Sequence, residues 1–416
     1  MKLLLISFYF PPCHMVSARR WAKHLKYMNI DKIDFHVLAK SFPDEQSIWS
    51  KDIAAFENKI HRVDFEIKHP YFKSSLPKTA GEKLRWKLSY WKWEYISKRK
   101  NTLLGDNSIG SESLFLEKAS EIIQKEKITH VLMSVGPFYI STILPVLKKK
   151  YPYLKITIDF RDYWHDNKGS IPESAFEEQV KLQEQVLQSV DTITVVNEEM
   201  KKYFLKITDN KKEVLVLPHC FDPDDLHLSA TSATKNNKLQ FIYGGALYAD
   251  MHNYIQLFID FINQLSENNL DSFSRILVPH RGYEKELSVM KNKIEQSGFV
   301  STKEYFDLLQ NCDAVLYFRP DWSPNAFSSK FFELVALRKP ILYFGPKSDV
   351  SEFILKNNLG LHFSLENFKS SFEEFKDLIS GKRSINLNYD LDQHTFQTNN
   401  QKLYRLLGVD KTKAAA

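Results

Sequence analysis

Two stretches of the chain hold residue types that could do chemistry. The first is Ser328-Ser329-Lys330-Phe331-Phe332-Glu333-Leu334-Val335-Ala336-Leu337-Arg338-Lys339-Pro340-Ile341-Leu342-Tyr343-Phe344-Gly345. It reads as a loop, a helix opened by serines, and a short apolar strand ending in glycine. Serines at a helix start leave backbone N–H groups pointing outward, a ready site for phosphate. Glu333, just beyond the first turn, supplies a carboxylate that could accept hydrogen bonds from sugar hydroxyls. Phosphate donors and a diol acceptor on one short helix suit a nucleotide-sugar. A core helix with Lys330 and Glu333 as an i,i+3 surface ion pair uses the same residues equally well.

The second stretch is Asp159-Phe160-Arg161-Asp162-Tyr163-Trp164-His165-Asp166. Carboxylates, an arginine and a histidine within eight residues after a strand can supply a general base and an anchor for acceptor hydroxyls. Asp162 and His165 are the candidate catalytic groups, with Arg161 beside them on the acceptor side. Asp159, nearest the sheet, reads as structural. The competing account pairs both Asp159 and Asp162 with Arg161, simply to fix the loop.

These residues need elements to hold them. Short apolar runs at Lys2–Phe8, Phe35–Ala39, His130–Val135, Lys155–Phe160, Thr192–Val196 and Glu213–Leu217 predict strands. Helical patterns at Ser17–Tyr27, Glu112–Lys125, Glu173–Ser189 and Glu198–Lys206 lie between most of them. Ser170-Ile171-Pro172-Glu173 and Ser301-Thr302-Lys303-Glu304 read as capping boxes. Such alternation predicts a parallel sheet covered on both faces. The polar, unperiodic stretch 219–237 reads as a linker. Strands resume at Leu239–Tyr243, Arg275–Val278, Ala314–Phe318 and Ile341–Phe344. The chain therefore divides into a first domain over 1–218, a linker over 219–237, a second domain over 238–390 and a last helix within 391–410.

Ligands of doubly wound sheets bind beyond the carboxyl ends of the strands. That rule selects Tyr9–Arg20, including His14, and Gly136–Tyr139 in the first domain. In the second it selects Gly244-Gly245, His280-Arg281, Arg319–Asn325, Ser328 and the Gly345 turn. Gly136, Tyr139, Arg161 and His14 are the acceptor-side candidates. Gly244, Gly245, Arg281, Ser328, Ser329, Lys330 and Glu333 are the donor-side candidates.

Composition bounds the function classes. A chain of 416 residues suits two domains of roughly 200 residues each. With 43% hydrophobic and 26% charged residues it is that of a soluble globular protein. No apolar run approaches the roughly 20 residues that span a bilayer. Cys13, Cys220 and Cys312 form no C-x-x-C pair, which predicts reduced thiols and a cytoplasmic protein. A net charge of +6 is mild for this length, and no nucleic-acid motif appears. No metal cluster is evident, and Asp222-Pro223-Asp224 reads as a structural turn. The absence of G-x-G-x-x-G disfavours a nicotinamide enzyme, and that of G-x-x-x-x-G-K-[ST] a P-loop NTPase.

One insertion, about 64–111, breaks the alternation. Its 82–100 segment holds seven Lys or Arg against two Glu, with Trp86, Trp91 and Trp93. Trp and Tyr suit a headgroup boundary while Lys and Arg reach anionic phosphates. A peripheral contact with an anionic membrane surface is one reading. A helix packed on the first domain with its basic face in water is the other.

The segments Tyr9–Pro12 with Ser17–Arg20, Asp159–Trp164 and Ser328–Pro340 resemble GT-B glycosyltransferases, especially glycosyltransferase family four of bacterial surface polysaccharide biosynthesis. The Asp159–Trp164 segment is similar to that family's D-x-R-D-x-W. The resemblance implies two Rossmann-like domains facing across a cleft, with acceptor in the first, donor in the second and the last helix packing back on the first. It also implies a nucleotide-sugar substrate, no further cofactor, and a glycan or lipid-linked acceptor. The chain departs from the family in places. Cys13-His14-Met15-Val16 replaces the usual Gly-Gly, and Asn325 stands eight positions before Glu333 where a second glutamate is usual. The loop after Gly245 has no cation, which leaves Arg19 or Arg20, Arg281 and Lys330 as phosphate candidates. The resulting expectation is a metal-independent glycosyltransferase. A nucleotide-sugar epimerase and a non-catalytic glycan-binding or partner-binding protein of the same architecture are the alternatives.

Overall fold

In a computed structural model the described residues are 1–29, 32–66, 79–99, 106–164, 173–226, 238–245, 247–248, 250–277, 283–297, 300, 302–321, 325 and 327–409. The expected capping boxes at Ser170 and Ser301 begin outside them.

The chain forms two compact units: Met1–Pro218 with the chain from Phe396 onward, and His219–Thr395. The first is built on β1 (Lys2–Ser7), β2 (Asp34–Lys40), β3 (Ile60–Val63), β4 (His130–Ser134), β5 (Lys155–Phe160), β6 (Thr192–Val195) and β7 (Glu213–Val216). They form one parallel sheet in the order β3-β2-β1-β4-β5-β6-β7. The second unit holds β8 (Leu239–Tyr243), β9 (Ser272–Ile276), β10 (Ile294–Gln296), β11 (Ala314–Phe318), β12 (Ile341–Phe344) and β13 (Gly360–Phe363). Their parallel order is β10-β9-β8-β11-β12-β13.

Both sheets are buried on both faces, which is why their strands read as unbroken apolar runs. In β1, Leu4 and Ile6 join one core cluster while Leu3 and Leu5 join the other, following the two-residue repeat of a strand. In β11 and β12, Leu316, Phe318, Leu342 and Phe344 face one way, and Val315, Tyr317, Ile341 and Tyr343 the other.

Some expected boundaries move. β9 begins at Ser272, three residues before the expected Arg275, because its inward positions start with Ser272 and Ser274. The short strands β3, β10 and β13 carry too few apolar residues to stand out in sequence. At the start of the expected linker, Asp222 is buried and accepts the Asp224 amide at 2.9 Å, closing a turn over Pro223–Asp225. The remainder of the expected linker, 227–237, lies outside the described residues.

The final helix, Phe396–Leu406, belongs to the first unit. Its Leu403 and Tyr404 enter the cluster of Trp21 and Leu25, and Asn400 Oδ1 lies 2.7 Å from His24 Nδ1.

Candidate functional site

Each sheet order reverses direction once, at β1/β4 in the first unit and β8/β11 in the second. Adjacent strand-end loops diverge at such a point and leave a crevice. The candidate residues lie largely at these two places.

In the first unit, Asp159 at the end of β5 is buried within a saturated network. Arg20 Nε and Nη2 donate to its two oxygens at 3.0 and 3.1 Å, Trp21 Nε1 at 2.9 Å and Thr194 Oγ1 at 2.8 Å. Burial pushes the Asp159 carboxyl up, but Arg20 and these hydrogen bonds outweigh it and hold it below the usual range. Arg20 also donates to the Leu217 and Pro218 carbonyls, at 2.7 and 3.0 Å. The partner of Asp159 is therefore Arg20 rather than Arg161. Arg20 is committed to structure and drops out as a phosphate ligand. Arg19 is buried, with its guanidinium carbon 5.9 Å from the Phe396 ring centroid.

Arg161 reaches across the strand ends. Its Nη2 donates to the Val135 and Gly136 carbonyls at 3.2 and 3.1 Å, and Nη1 to the Ser17 carbonyl at 3.4 Å. Its Nε is buried and finds no partner among the described residues. Burial lowers its pKa against the pull of Asp162 and Asp159. Gly136 has φ of 102°, and a Cβ there would stand 3.0 Å from Arg161 Nη2, so both backbone and space call for glycine. Asp162 is exposed and forms no hydrogen bond or ion pair with a described residue, so it is not pinned to Arg161. It is a carboxylate at a strand end, open to solvent.

Tyr139 is placed by a residue the sequence reading missed. Buried Asp106 accepts the Phe138 and Tyr139 amides at 2.7 and 2.8 Å. The His14 amide and ring Nδ1 both meet Glu45 Oε2, at 2.9 and 2.6 Å. A carboxylate can only accept, so in the neutral ring the proton facing Glu45 sits on Nδ1 and the lone pair on Nε2, the form a general base requires. No sequence signal joins His14 to Glu45, because the pairing arises only where the two loops meet. His165 lies outside the described residues.

In the second unit, Gly244, Tyr305, Lys330 and Glu333 come together at the end of β8. Lys330 Nζ donates to the Gly244 carbonyl at 3.2 Å and lies 4.9 Å from the Tyr305 ring centroid. A Cβ on Gly244 would stand 2.3 Å from Tyr305 Cε2, so only glycine admits that ring. Glu333 is 6% exposed. Burial, then the Glu333 charge, drive the Tyr305 phenol well above its ordinary range. A carboxylate so buried is not part of a solvated surface pair. Gly245 stands against the Tyr243 hydroxyl.

The helix start differs from expectation. The helix runs from Phe331 to Ala336 with Lys330 as its N-cap residue, so Ser328 and Ser329 sit in the preceding turn. The Ser328 amide donates to the Tyr317 hydroxyl at 3.0 Å and is not available for phosphate. Burial of Phe331 and Phe332 sets where the helix begins. Asn325 Oδ1 accepts the Asp349 amide at 2.9 Å. Arg319, which the strand-end rule selected but which was not among the phosphate candidates, follows β11 directly, and its charge restrains the Tyr243 and Tyr343 phenols that burial raises. Its signal was its place after a strand at the reversal point. Arg281 lies outside the described residues. Among the described residues no three His, Cys, Asp or Glu side chains gather to hold a metal ion.

No known protein family's profile matches this chain, and no curated protein sequence is detectably similar. Solved structures do match over nearly its whole length. The Candida albicans trehalose-6-phosphate phosphatase N-terminal domain is 14% identical with a TM-score of 0.62, covering 98% of this chain and 97% of its own. The lipopolysaccharide outer core galactosyltransferase WaaB is 12% identical with a TM-score of 0.57, covering 98% and 99%. A putative UDP-N-acetylglucosamine 2-epimerase from Listeria monocytogenes is 14% identical with a TM-score of 0.57, covering 99% and 98%. The fold is the GT-B pair of Rossmann-like domains. At these identities the likeness shows the fold alone.

Proposed function

We propose that the protein is a glycosyltransferase that moves a sugar from a nucleotide-sugar to a hydroxyl of a glycan acceptor, lipid-linked in bacterial surface polysaccharide synthesis. The observation that carries this reading is Glu333, a buried carboxylate beside Lys330 and Gly244 where the second sheet reverses order. A carboxylate held out of water suits a ribose diol, and Lys330 with Arg319 supplies positive charge for the donor phosphates. Asp162 takes the proton of the acceptor hydroxyl, and a buried Arg161 Nε with no partner among the described residues supports Arg161 as an acceptor-side group. The nucleotide-sugar is substrate, and the reading calls on no metal.

Calorimetric titration with UDP-, GDP-, CMP- and dTDP-sugars tests it. Glu333→Gln keeps one carbonyl acceptor but removes the charge. A hydrogen bond to a charged group contributes roughly 1.5–3 kcal/mol, so affinity falls about ten- to a hundredfold. Lys330→Ala weakens the nucleoside diphosphate more than the bare nucleoside. Unaltered dissociation constants in both variants would remove the donor from this site. A nucleotide-sugar isomerised without any acceptor present would instead mark an epimerase.

A further inference from the structure

The helix Ala80–Arg99 carries side chains that the transfer reading does not use. It opens on a capping box: the Glu82 amide donates to Thr79 Oγ1 at 3.2 Å, and the Thr79 amide to Glu82 Oε2 at 3.1 Å. Along it Leu84, Leu88, Trp91 and Tyr95 are 60%, 54%, 55% and 62% exposed. At about 100° per residue their spacing places all four within an arc of roughly 60°, in a stripe about 16 Å long. Lys83 and Lys87 border the stripe on one side, Arg85 and Lys92 on the other, and all four are exposed. Lys87 Nζ lies 5.2 Å from the Trp91 ring centroid.

The charge pattern selects the occupant. Two copies joined stripe to stripe would bring cationic borders against cationic borders, with few acidic residues on the helix to offset them. An anionic lipid surface satisfies both features. Leu and Trp enter the boundary below the headgroups, while the flanking Lys and Arg meet lipid phosphates. We infer that this helix seats the protein on an anionic bilayer through Leu84, Leu88, Trp91 and Tyr95, with Lys83, Arg85, Lys87 and Lys92 as the phosphate contacts. The sequence reading grouped Trp86, Trp91 and Trp93. Trp86 falls on the opposite side of the helix and is half-buried, and the Trp93 side chain lies outside the described residues.

The test is co-sedimentation of the full chain, without nucleotide, with vesicles of equimolar phosphatidylglycerol and phosphatidylcholine and with phosphatidylcholine alone. Its outcome is therefore separate from that of the glycosyltransferase reading. The expected result is binding to the anionic vesicles, weakened by salt. The double variant Leu88→Ser, Trp91→Ser should bind at least about tenfold less. Replacing Lys83, Arg85, Lys87 and Lys92 with glutamine should lower partitioning about fivefold per cation removed. Both variants should keep the parental unfolding transition, because every altered side chain is exposed. Parental binding to neither vesicle, or equal binding by all three proteins, overturns the inference. A concentration-dependent dimer in sedimentation velocity, abolished by the double variant while vesicles bind nothing, would assign the stripe to a second copy and overturn it too.

Discussion

Asp159, in β5, and Asp162, just past its end, stand three positions apart, yet the structure gives them opposite circumstances. Asp159 is saturated by Arg20, Trp21 and Thr194, whereas Asp162 is exposed and unpaired among the described residues. A base must be free to accept a proton, so Asp162 is the one to test. Asp162→Asn keeps the shape and removes the basicity. A positioned base contributes on the order of 10²–10⁴-fold, and turnover should fall by that factor in a single-turnover assay while nucleotide affinity holds. Should turnover stay at the parental rate, His14→Gln becomes the decisive variant, because Glu45 leaves His14 Nε2 as the next available base. The sequence singled out Asp162 by its place after a strand. It did not show Glu45, Asp106 or Tyr305, whose neighbours are remote in the chain.

At the scale of elements, β5 and the helix Val16–Lys26 are joined through one buried ion pair, Arg20 with Asp159. Removing one partner of such a pair leaves an uncompensated buried charge and costs about 3–5 kcal/mol. Asp159→Asn should therefore lower the unfolding free energy by that amount in denaturant titration. A loss under about 1 kcal/mol would mean the pair behaves as if solvated. Strand positions were legible because the sheets are buried on both faces, and β5, β8, β11 and β12 match their expected ends. The short helix at Phe331 was legible as a helix but not in its start. Two phenylalanines burying together outweigh the preference of serine for the N-cap position.

For the whole molecule, the last helix closes on the first unit through His24 and Asn400. Burial, then repulsion from Arg20, push the His24 pKa down to about 3. Below about pH 6.5 an unfolded chain takes up a proton at this ring that the folded chain refuses. This part of the stability is present in full above about pH 6.5 and falls as pH drops toward 3, by up to about 1.4 kcal/mol per unit. His36, His61, His130 and His362 shift in the same direction, so only comparison with a variant isolates His24. Between pH 7 and pH 5 the unfolding free energy of His24→Gln should change less than that of the parent, by about 2 kcal/mol. Equal changes in the two proteins would show that His24 is protonated in the fold.

The sequence by itself determined the fold class, and it pointed to the strand ends as the place to look for ligands. Buried parallel strands must be apolar throughout, helices between them must be amphipathic, and polar residues collect where the strands end. Tertiary structure alone decided which polar residues are free for chemistry. Arg20 and Arg161 look alike in sequence, but one is neutralised by a buried carboxylate, while the hydrogen bonds of the other among the described residues go to backbone carbonyls. Lys330 and Glu333 read equally well as a surface pair until burial and the approach of Gly244 and Tyr305 placed them at the end of β8. Pairing partners are set by contacts between residues far apart in the chain, such as Arg20 with Pro218, 198 positions on, and His24 with Asn400, 376 positions on, and no local pattern encodes those.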